Sequence, residues 1–333
     1  MSIKSISIIA IVIIVLASIA GLAYLQTPVQ PKKEEASFPL SVIDDLGRNI
    51  TIIAKPTRIV SLIPSASELV YAVGAGNLLA GVDQFSAYPD ELVQRVKSGN
   101  LTVIGSGQNP DLDKIVSLNP DVILINGPSH FSNKGVQRLS ELGYTIISLN
   151  AQNVSAVFQN IELVGKITGN SGQASRLTAN LEERIVKVES AVKNAPKVKV
   201  YVENWNDPLF SVGPGSIQEE LIVTAGGVNV FSDLPKKSAQ VTPEAVIAKN
   251  PQVIVLFHKL AKLDGVKNRP GWDVIDAVKN NKVYYIAEEE NLAPYGAPGP
   301  RIVDGLEKIA ALIHPELKFQ NKNANMLVML RAN

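Results

Sequence analysis

Two carboxylates, Asp113 and Glu244, stand at the same position of a pattern that occurs twice in the chain. Each is followed by a short amphipathic stretch, an Asn-Pro pair and an apolar β-branched run, which ends at Ile125 in the first copy and at Leu256 in the second. Proline ends a helix and favours extended backbone at the residue before it, and a short Val/Ile run is typical of a buried parallel strand. The repeat therefore predicts a short helix and a strand in each half, with one equivalent acidic group per half.

Both carboxylates are predicted to lie in the first turn of their helices. Asp111 has the side chain and spacing of a helix cap, and Thr242 has the same role in the second copy, with Pro243 at the first helical position. An acidic side chain in a first turn also interacts favourably with the helix dipole. The two groups are therefore either a matched pair for a two-fold partner or ordinary helix-start acids.

A second set of chemically active residues follows the predicted strand ends. Ligands of open parallel sheets bind outside the carboxyl ends of the strands, so side chains in those loops are the candidate ligand contacts. We expect them to be Ser65, Ser67, Phe85, Tyr88, His130, Trp205, Phe210, His258, Tyr295 and Arg301. Trp272 lies in an Arg-Pro-Gly-Trp turn and is predicted to be structural.

The elements that position these residues alternate between strand and helix. This order predicts an α/β fold with two Rossmann-like lobes of mostly parallel strands, one long connecting helix and a ligand cleft between the lobes. Helix-forming residues dominate from 154 to 192, apart from a break at Gly169–Gly172. The predicted segments are an anchor or signal segment 1–26, a linker 27–38, a first lobe 39–152, a connector 153–195 and a second lobe 196–333.

Composition restricts the kinds of chemistry that the chain can perform. A net charge of +1 over 333 residues gives no nucleic-acid signature. The absence of cysteine excludes disulfides, thiolate metal sites, cysteine nucleophiles and a lipid-modified cysteine. We find no nucleophile elbow, phosphate loop or dinucleotide fingerprint, so an enzyme on the same scaffold is an alternative without a supporting motif.

The N-terminus carries an apolar run from Ile6 to Leu25, long enough to span a bilayer. An uncleaved anchor that holds an external domain on the cell membrane is the favoured interpretation. Cleavage as a secretory signal near Ala20 or Ala23 is the alternative, and it would release the protein.

Several short motifs together resemble the iron-siderophore/vitamin B12 family of ABC-importer substrate-binding proteins. The resemblance covers roughly residues 39–315 and is carried by Arg58–Glu68, Ala75-Gly76, Gly81-Val82, Tyr88-Pro89, Asn119-Pro120-Asp121 and Pro298–Arg301. It implies two lobes bridged by one long helix, a ligand in the cleft, no catalysis and no cofactor. It also implies a monomeric external domain that works with a permease dimer and cytoplasmic ATPase subunits.

In this family one acidic residue on each lobe pairs with arginines of the permease, and by position these are Asp113 and Glu244. The chain departs from the family in having Asp at the first position, where Glu is usual. A second departure concerns the ligand, because Gly107 and Ser238 stand where cobalamin binders can carry tryptophan.

The predicted cleft therefore has few aromatic residues to pack against a corrin face. This favours a ferric siderophore as the bound metal chelate, ahead of cobalamin and haem. His130 and His258 follow equivalent strands, so they are either a trans pair on iron or corrinoid cobalt, or solvated loop histidines. A binder of free zinc or manganese is a further alternative, although it would need three or four converging ligands.

Overall fold

The computed structural model describes residues 37–258, 263–285 and 298–317. The predicted anchor 1–26, most of the linker, Tyr295 and the C-terminal tail after Leu317 lie outside the described residues. Of the helices that are described, none has the length and apolar character that crossing a membrane requires.

The described residues form sixteen strands, with helices between many of them. The strands are β1 Leu40–Ile43, β2 Asn49–Ile52, β3 Ile59–Ser61, β4 Leu79–Val82, β5 Thr102–Val103, β6 Gly105–Ser106, β7 Asn109–Pro110, β8 Val122–Ile125, β9 Ile146–Ser148, β10 Val198–Glu203, β11 Trp205–Asn206, β12 Leu209–Val212, β13 Gly227–Asn229, β14 Ser238–Gln240, β15 Val253–Leu256 and β16 Val283–Tyr285.

The helices are short except for a pair in the middle of the chain. They are α1 Pro64–Ala72, α2 Asp90–Lys97, α3 Leu112–Ser117, α4 Gly127–Phe131, α5 Lys134–Glu141, α6 Val154–Thr168, α7 Ser171–Val192, α8 Ile217–Thr224, α9 Pro243–Lys249, α10 Leu263–Lys267, α11 Asp276–Lys279 and α12 Ile302–Ile313. Single turns of 3₁₀ helix occur at Gly76–Leu78, Trp272–Val274 and Pro315–Leu317.

The strands form one parallel sheet in each half of the chain, which confirms the predicted α/β fold. The first sheet has the order β5-β4-β3-β8-β9, and the second has the order β13-β10-β15-β16. Every residue of β3, β8 and β15 is buried, as expected for strands covered on both faces. A small antiparallel sheet, β11-β12-β14, is added beside the second parallel sheet.

The connector consists of α6 and α7, which pack against each other. Gly169 ends α6 with φ of 73°, a left-handed conformation that glycine adopts without steric cost. The longer helix α7 then leads into the second sheet. One hydrophobic core includes Leu69 of α1, Leu181 of α7, Val200 of β10 and Leu306 of α12, so packing is continuous from the first half through the connector to the last helix. The proposed segment boundaries themselves remain predictions.

The repeated pattern folds as a helix followed by a buried strand in both copies, α3-β8 and α9-β15, as predicted. The expected extended backbone before each proline is wrong. Asn119 has φ of 44° and Asn250 has φ of 42°, so both are left-handed. Proline disfavours the right-handed helical conformation of the preceding residue, and asparagine tolerates the left-handed one, so the chain leaves each helix through a left-handed residue.

Candidate ligand-binding site

The predicted ligand contacts follow the carboxyl ends of the strands. In the first half, β3, β4 and β8 lead into the loops and helix starts that carry five of them: Ser65, Ser67, Phe85, Tyr88 and His130. In the second half, β10 leads to Trp205 and β15 leads to His258. Because neighbouring strands within each sheet are parallel, the residues of each half lie at one edge of its sheet.

Arg301 joins the two halves of the site through Glu68 of α1. Its Nε lies 3.0 Å from Glu68 Oε1 and its Nη2 lies 2.8 Å from Oε2, a bidentate ion pair with both side chains largely buried. The guanidinium carbon also stands 3.8 Å from the ring centroid of Tyr88. Burial raises the pKa of Glu68, although the Arg301 guanidinium opposes the change. The charge of Arg301 is therefore already balanced within the protein.

The two serines of the first loop have different surroundings. Ser67 is fully buried, and its hydroxyl lies within hydrogen-bond distance of Ser86 Oγ and of the carbonyl oxygen of Ile63. It therefore packs inside the lobe instead of facing a ligand. Ser65 is half-buried, and its Cβ lies 3.8 Å from the position that a Cβ on Gly299 would occupy. Ser65 thus faces the segment that carries Arg301.

Three aromatic side chains are exposed at the strand-end loops. Phe85 is 66% exposed and Tyr88 37% exposed after β4, and Trp205 is 45% exposed after β10. Phe210 is half-buried and pairs with Trp205 across the antiparallel strands β11 and β12. The exposed rings come from both halves of the chain, at loops where the fold places ligands.

A buried carboxylate, Asp83, holds the loop that presents Phe85. Its two oxygens accept the backbone N–H groups of Phe85 and Gly107, each at 2.7 Å. Burial raises the pKa of Asp83, while these two hydrogen bonds and the charge of His130 act in the opposite direction. Asp83 was not predicted from the sequence. A carboxylate directly after an apolar strand is the pattern that could have indicated it.

His130 is buried, so the interpretation as a solvated loop histidine is wrong for it. Its Nδ1 accepts the backbone N–H of Asn126 at 3.4 Å, and burial lowers the pKa of the imidazole, with Asp83 opposing. A Cβ on Gly107 would lie 2.3 Å from His130 Cε1 and 2.4 Å from the carbonyl oxygen of Leu62. The imidazole and the backbone therefore occupy the space that a tryptophan at position 107 would need.

His258 is also buried, and it belongs to a cluster of charged residues at the end of β10. Its Nε2 lies 2.9 Å from Oε1 of the fully buried Glu203. Arg269 binds both oxygens of the same carboxylate, at 2.5 and 2.9 Å, and its guanidinium carbon lies 4.5 Å from the ring centroid of Trp272. The imidazole is 6.2 Å from the ring of Trp205. Sequence reasoning missed Glu203 and Arg269 because they are 66 positions apart. The one signal in the sequence was Glu203 itself, a charged residue at the end of an apolar strand.

Trp272 is fully buried, as predicted for a structural residue. Its ring lies edge-on to Tyr201, with 6.1 Å between the ring centroids. Burial raises the pKa of Tyr201 well above its usual range. Of the two tryptophans in the chain, Trp272 is thus buried and Trp205 is exposed.

The two carboxylates of the repeat are exposed in the first turns of α3 and α9. Asp111 caps α3 by accepting the N–H of Lys114 at 3.1 Å, and Thr242 caps α9 by accepting the N–H of Ala245 at 3.2 Å, as predicted. Each helix runs back along the sheet before its strand, so its N-terminus lies toward the carboxyl edge. Asp113 and Glu244 therefore lie toward the edges that carry the strand-end loops.

Within residues 37–258, 263–285 and 298–317, no group of three or more His, Asp or Glu side chains is arranged to hold a metal ion.

Two known proteins with similar sequences are named as binding proteins. The chain is 29% identical over 297 residues to an uncharacterized ABC transporter substrate-binding lipoprotein, YvrC, from Bacillus subtilis, covering 87% of this chain and 90% of the relative. It is 27% identical over 267 residues to the vitamin B12-binding protein of Vibrio cholerae, covering 79% of this chain and 92% of the relative.

A solved structure from Staphylococcus epidermidis, described as a possible iron-binding (periplasmic solute-binding) protein, superposes with a TM-score of 0.68 at 27% identity. The match covers 78% of this chain and all of that one. These relatives identify a binding protein and not an enzyme. Residues 59–290 match the sequence profile of the periplasmic binding proteins, and the chain belongs to that family.

Proposed function

We propose that this chain is the extracytoplasmic substrate-binding component of an ABC importer and that its cargo is a corrinoid. The importer role is supported by the family and by the relative that is named an ABC transporter substrate-binding lipoprotein. The choice of a corrinoid is supported by relatives from Vibrio cholerae and Halobacterium salinarum, which are named vitamin B12-binding and cobalamin-binding proteins.

The observation that carries the proposal is the exposure of Phe85, Tyr88 and Trp205 at ligand-facing loops of both halves. A corrin ring is broad and apolar on its faces, so aromatic side chains from two sides can pack against it. Arg301 and Arg269 do not offer uncompensated charge, because Glu68 and Glu203 pair with them. This favours a ligand with little net charge over a polyanionic chelate.

A ferric siderophore is the second candidate, and haem the third. The exposed lysines at positions 236 and 237, in the loop before β14, would attract an anionic iron chelate. Lys237 Nζ donates to Gln152 Oε1 at 3.0 Å, which places this charge close to the loop after β9. Free zinc or manganese is disfavoured, since the described residues contain no cluster of metal ligands.

The chain would meet its permease through Asp113 and Glu244, one on each half, and the permease dimer would work with cytoplasmic ATPase subunits. The apolar segment from Ile6 to Leu25 would hold the protein on the outer face of the membrane. The Bacillus relative is named a lipoprotein, whereas this chain has no cysteine to carry a lipid. That difference supports the apolar segment as the means of attachment.

The test is a fluorescence titration of the full-length protein in detergent with cyanocobalamin, cobinamide, a ferric hydroxamate siderophore, haem and zinc. We expect saturable quenching by the corrinoids, because Trp205 is exposed beside the proposed site. Quenching by the siderophore alone would replace the proposed cargo. No response to any of the chelates would contradict the proposed function.

A further inference from the structure

The environment of His258 determines which of its ring nitrogens can meet a ligand. Its Nε2 is 2.9 Å from Glu203 Oε1, and Arg269 donates hydrogen bonds to both oxygens of the same carboxylate. Nε2 therefore carries the proton and donates it to the carboxylate. In the neutral form of the imidazole, the lone pair is then on Nδ1.

Nδ1 of His258 is buried and has no hydrogen-bond partner in the described part of the chain. Leaving a buried acceptor unsatisfied costs about 1–3 kcal/mol, so such groups call for an explanation. Three other described side chains have a buried polar atom without a partner: Asn160, Trp272 and His314. Among these four, His258 alone lies two residues after the carboxyl end of a parallel strand, β15, and beside the exposed ring of Trp205.

An imidazole whose second nitrogen donates to a carboxylate is the usual form of a histidine that binds a metal, because the carboxylate fixes the tautomer and raises the basicity of the free nitrogen. We propose that His258 Nδ1 binds the cobalt of a corrinoid whose axial position is open. The Nδ1 lone pair forms the bond to cobalt as an axial water leaves, without electron transfer. This inference rests on the proposed function and refines its substrate class to corrinoids that lack a nucleotide base of their own.

The two histidines therefore have different roles. His130 directs Nδ1 at the N–H of Asn126 and lies beneath Gly107, so it is not the trans partner of His258. The His258 side chain is 4% exposed, so the cobalt reaches it only after a neighbouring group moves. Trp205 is suited to this movement, since it is half exposed and its indole N–H bonds locally, to the carbonyl oxygen of Asp207 at 3.0 Å.

The test uses full-length protein in detergent with cob(II)inamide, which has no base of its own, and electron paramagnetic resonance. Coordination by one histidine nitrogen is expected to split each cobalt line into a triplet, and ¹⁵N-labelled histidine should convert the triplets to doublets. His258→Gln should remove the splitting. Glu203→Gln should weaken the coordination about 10–100-fold, as removal of the orienting partner of a metal-binding histidine usually does.

His314→Gln is the matched control. His314 is also buried and also has an unpartnered ring nitrogen, but it follows α12 and contacts Gly226, away from the strand-end loops. This variant should keep the wild-type spectrum. Thermal melts establish that each variant is folded.

The possible outcomes separate this inference from the proposed function. Quenching of Trp205 by cobinamide without nitrogen splitting in the wild-type protein overturns the coordination and leaves the corrinoid function intact. Splitting that persists in His258→Gln also overturns it. If no corrinoid quenches the fluorescence, both proposals fail. The wild-type spectrum is decisive even if the variants do not fold.

Discussion

Glu68 and Arg301 are 233 positions apart and form a bidentate ion pair that connects α1 in the first half of the chain to the start of the last helix. The Glu68 side chain is 3% exposed and that of Arg301 is 13% exposed, so solvent screens the pair only weakly. The same guanidinium lies over the ring of Tyr88. Arg301 thus links the two halves of the chain and also packs against Tyr88, a predicted ligand contact.

Removing the guanidinium should destabilise the protein strongly, because it leaves a buried carboxylate without its partner. We expect Arg301→Ala to lower the free energy of unfolding by about 3–5 kcal/mol. Arg138→Ala is the control, since its ion pair with Glu141 is more than half exposed on both sides and should contribute about 1 kcal/mol or less. Urea unfolding measures both values, and equal losses would show that burial of the Glu68 pair is unimportant.

The repeated helix and strand could be predicted from the sequence because both depend on local signals. The caps at Asp111 and Thr242, the proline at position 243 and the Val/Ile runs act over a few residues, and the structure confirms them. The fold class follows from the same order of elements. Short elements without strong signals, such as α2 and β14, were not identified.

The charged clusters could not be predicted, because their members are distant in sequence. Glu203 meets Arg269 and His258 only after β10 and β15 pair, and no spacing rule connects them. The burial of Ser67 was missed for the same reason, since its partner Ser86 follows the next strand. Residue type and position after a strand identified the exposed Trp205. The same two criteria could not tell which of the other candidates, such as Ser67 and His258, would be buried.

The two left-handed asparagines that precede prolines, Asn119 and Asn250, should respond differently to substitution. Alanine at either position should add a backbone cost of about 1–2 kcal/mol, because a Cβ without a polar group disfavours this conformation. Glycine removes that cost at both positions. At Asn250, however, glycine also removes the bond from the backbone N–H of Asp276 to Asn250 Oδ1 at 2.9 Å, which contributes roughly 0.5–1.5 kcal/mol.

Asn119→Gly should therefore be more stable than Asn250→Gly when both are compared with wild type by thermal unfolding. Equal stabilities would show that the Asp276 bond contributes nothing. A stable Asn119→Ala variant would contradict the backbone explanation.

Acid should loosen the N-terminal hairpin, β1 and β2, through Asp44. Burial acts to raise the pKa of this carboxyl, but hydrogen bonds from Arg48 and Ser148 outweigh it, so the folded-state pKa lies below its ordinary value of 3.8. A depressed pKa contributes stability that is present above the unfolded-state value and is lost as the pH falls through the folded-state value.

The stability of the wild-type protein should thus fall below about pH 4. Asp44→Asn should be less stable at neutral pH and should lose less stability on acidification. Chemical unfolding across that range measures the difference. Parallel curves for the two proteins would exclude Asp44 as a source of the acid sensitivity.

Trp205 should contribute to cargo affinity, whereas Trp272 should contribute to stability. An aromatic contact is worth about 0.5–1.5 kcal/mol beyond the area that it buries, so Trp205→Ala should weaken corrinoid binding roughly 10-fold. Trp272 is fully buried, and Trp272→Phe should lower the melting temperature while the corrinoid still quenches Trp205. Isothermal titration calorimetry gives the affinities, and unchanged affinity in Trp205→Ala would remove this residue from the site.

Asp113 and Glu244 should be needed for transport and not for cargo binding. Both are exposed at the starts of equivalent helices, so the double variant Asp113→Ala with Glu244→Ala should abolish uptake in cells that carry the importer and leave the affinity for corrinoid unchanged. Glu182→Ala with Glu189→Ala is the control, because it removes the same charge from the exposed face of α7.

The difference in side-chain length between Asp113 and Glu244 allows a sharper test. Aspartate reaches about one methylene less than glutamate, so Asp113→Glu should strengthen binding to the permease, and binding to permease in nanodiscs measures this directly. Weaker binding by Asp113→Glu would indicate that the partner surface is shaped for the shorter side chain. Loss of corrinoid affinity in the double alanine variant would instead place these carboxylates in the cargo site and refute the docking assignment.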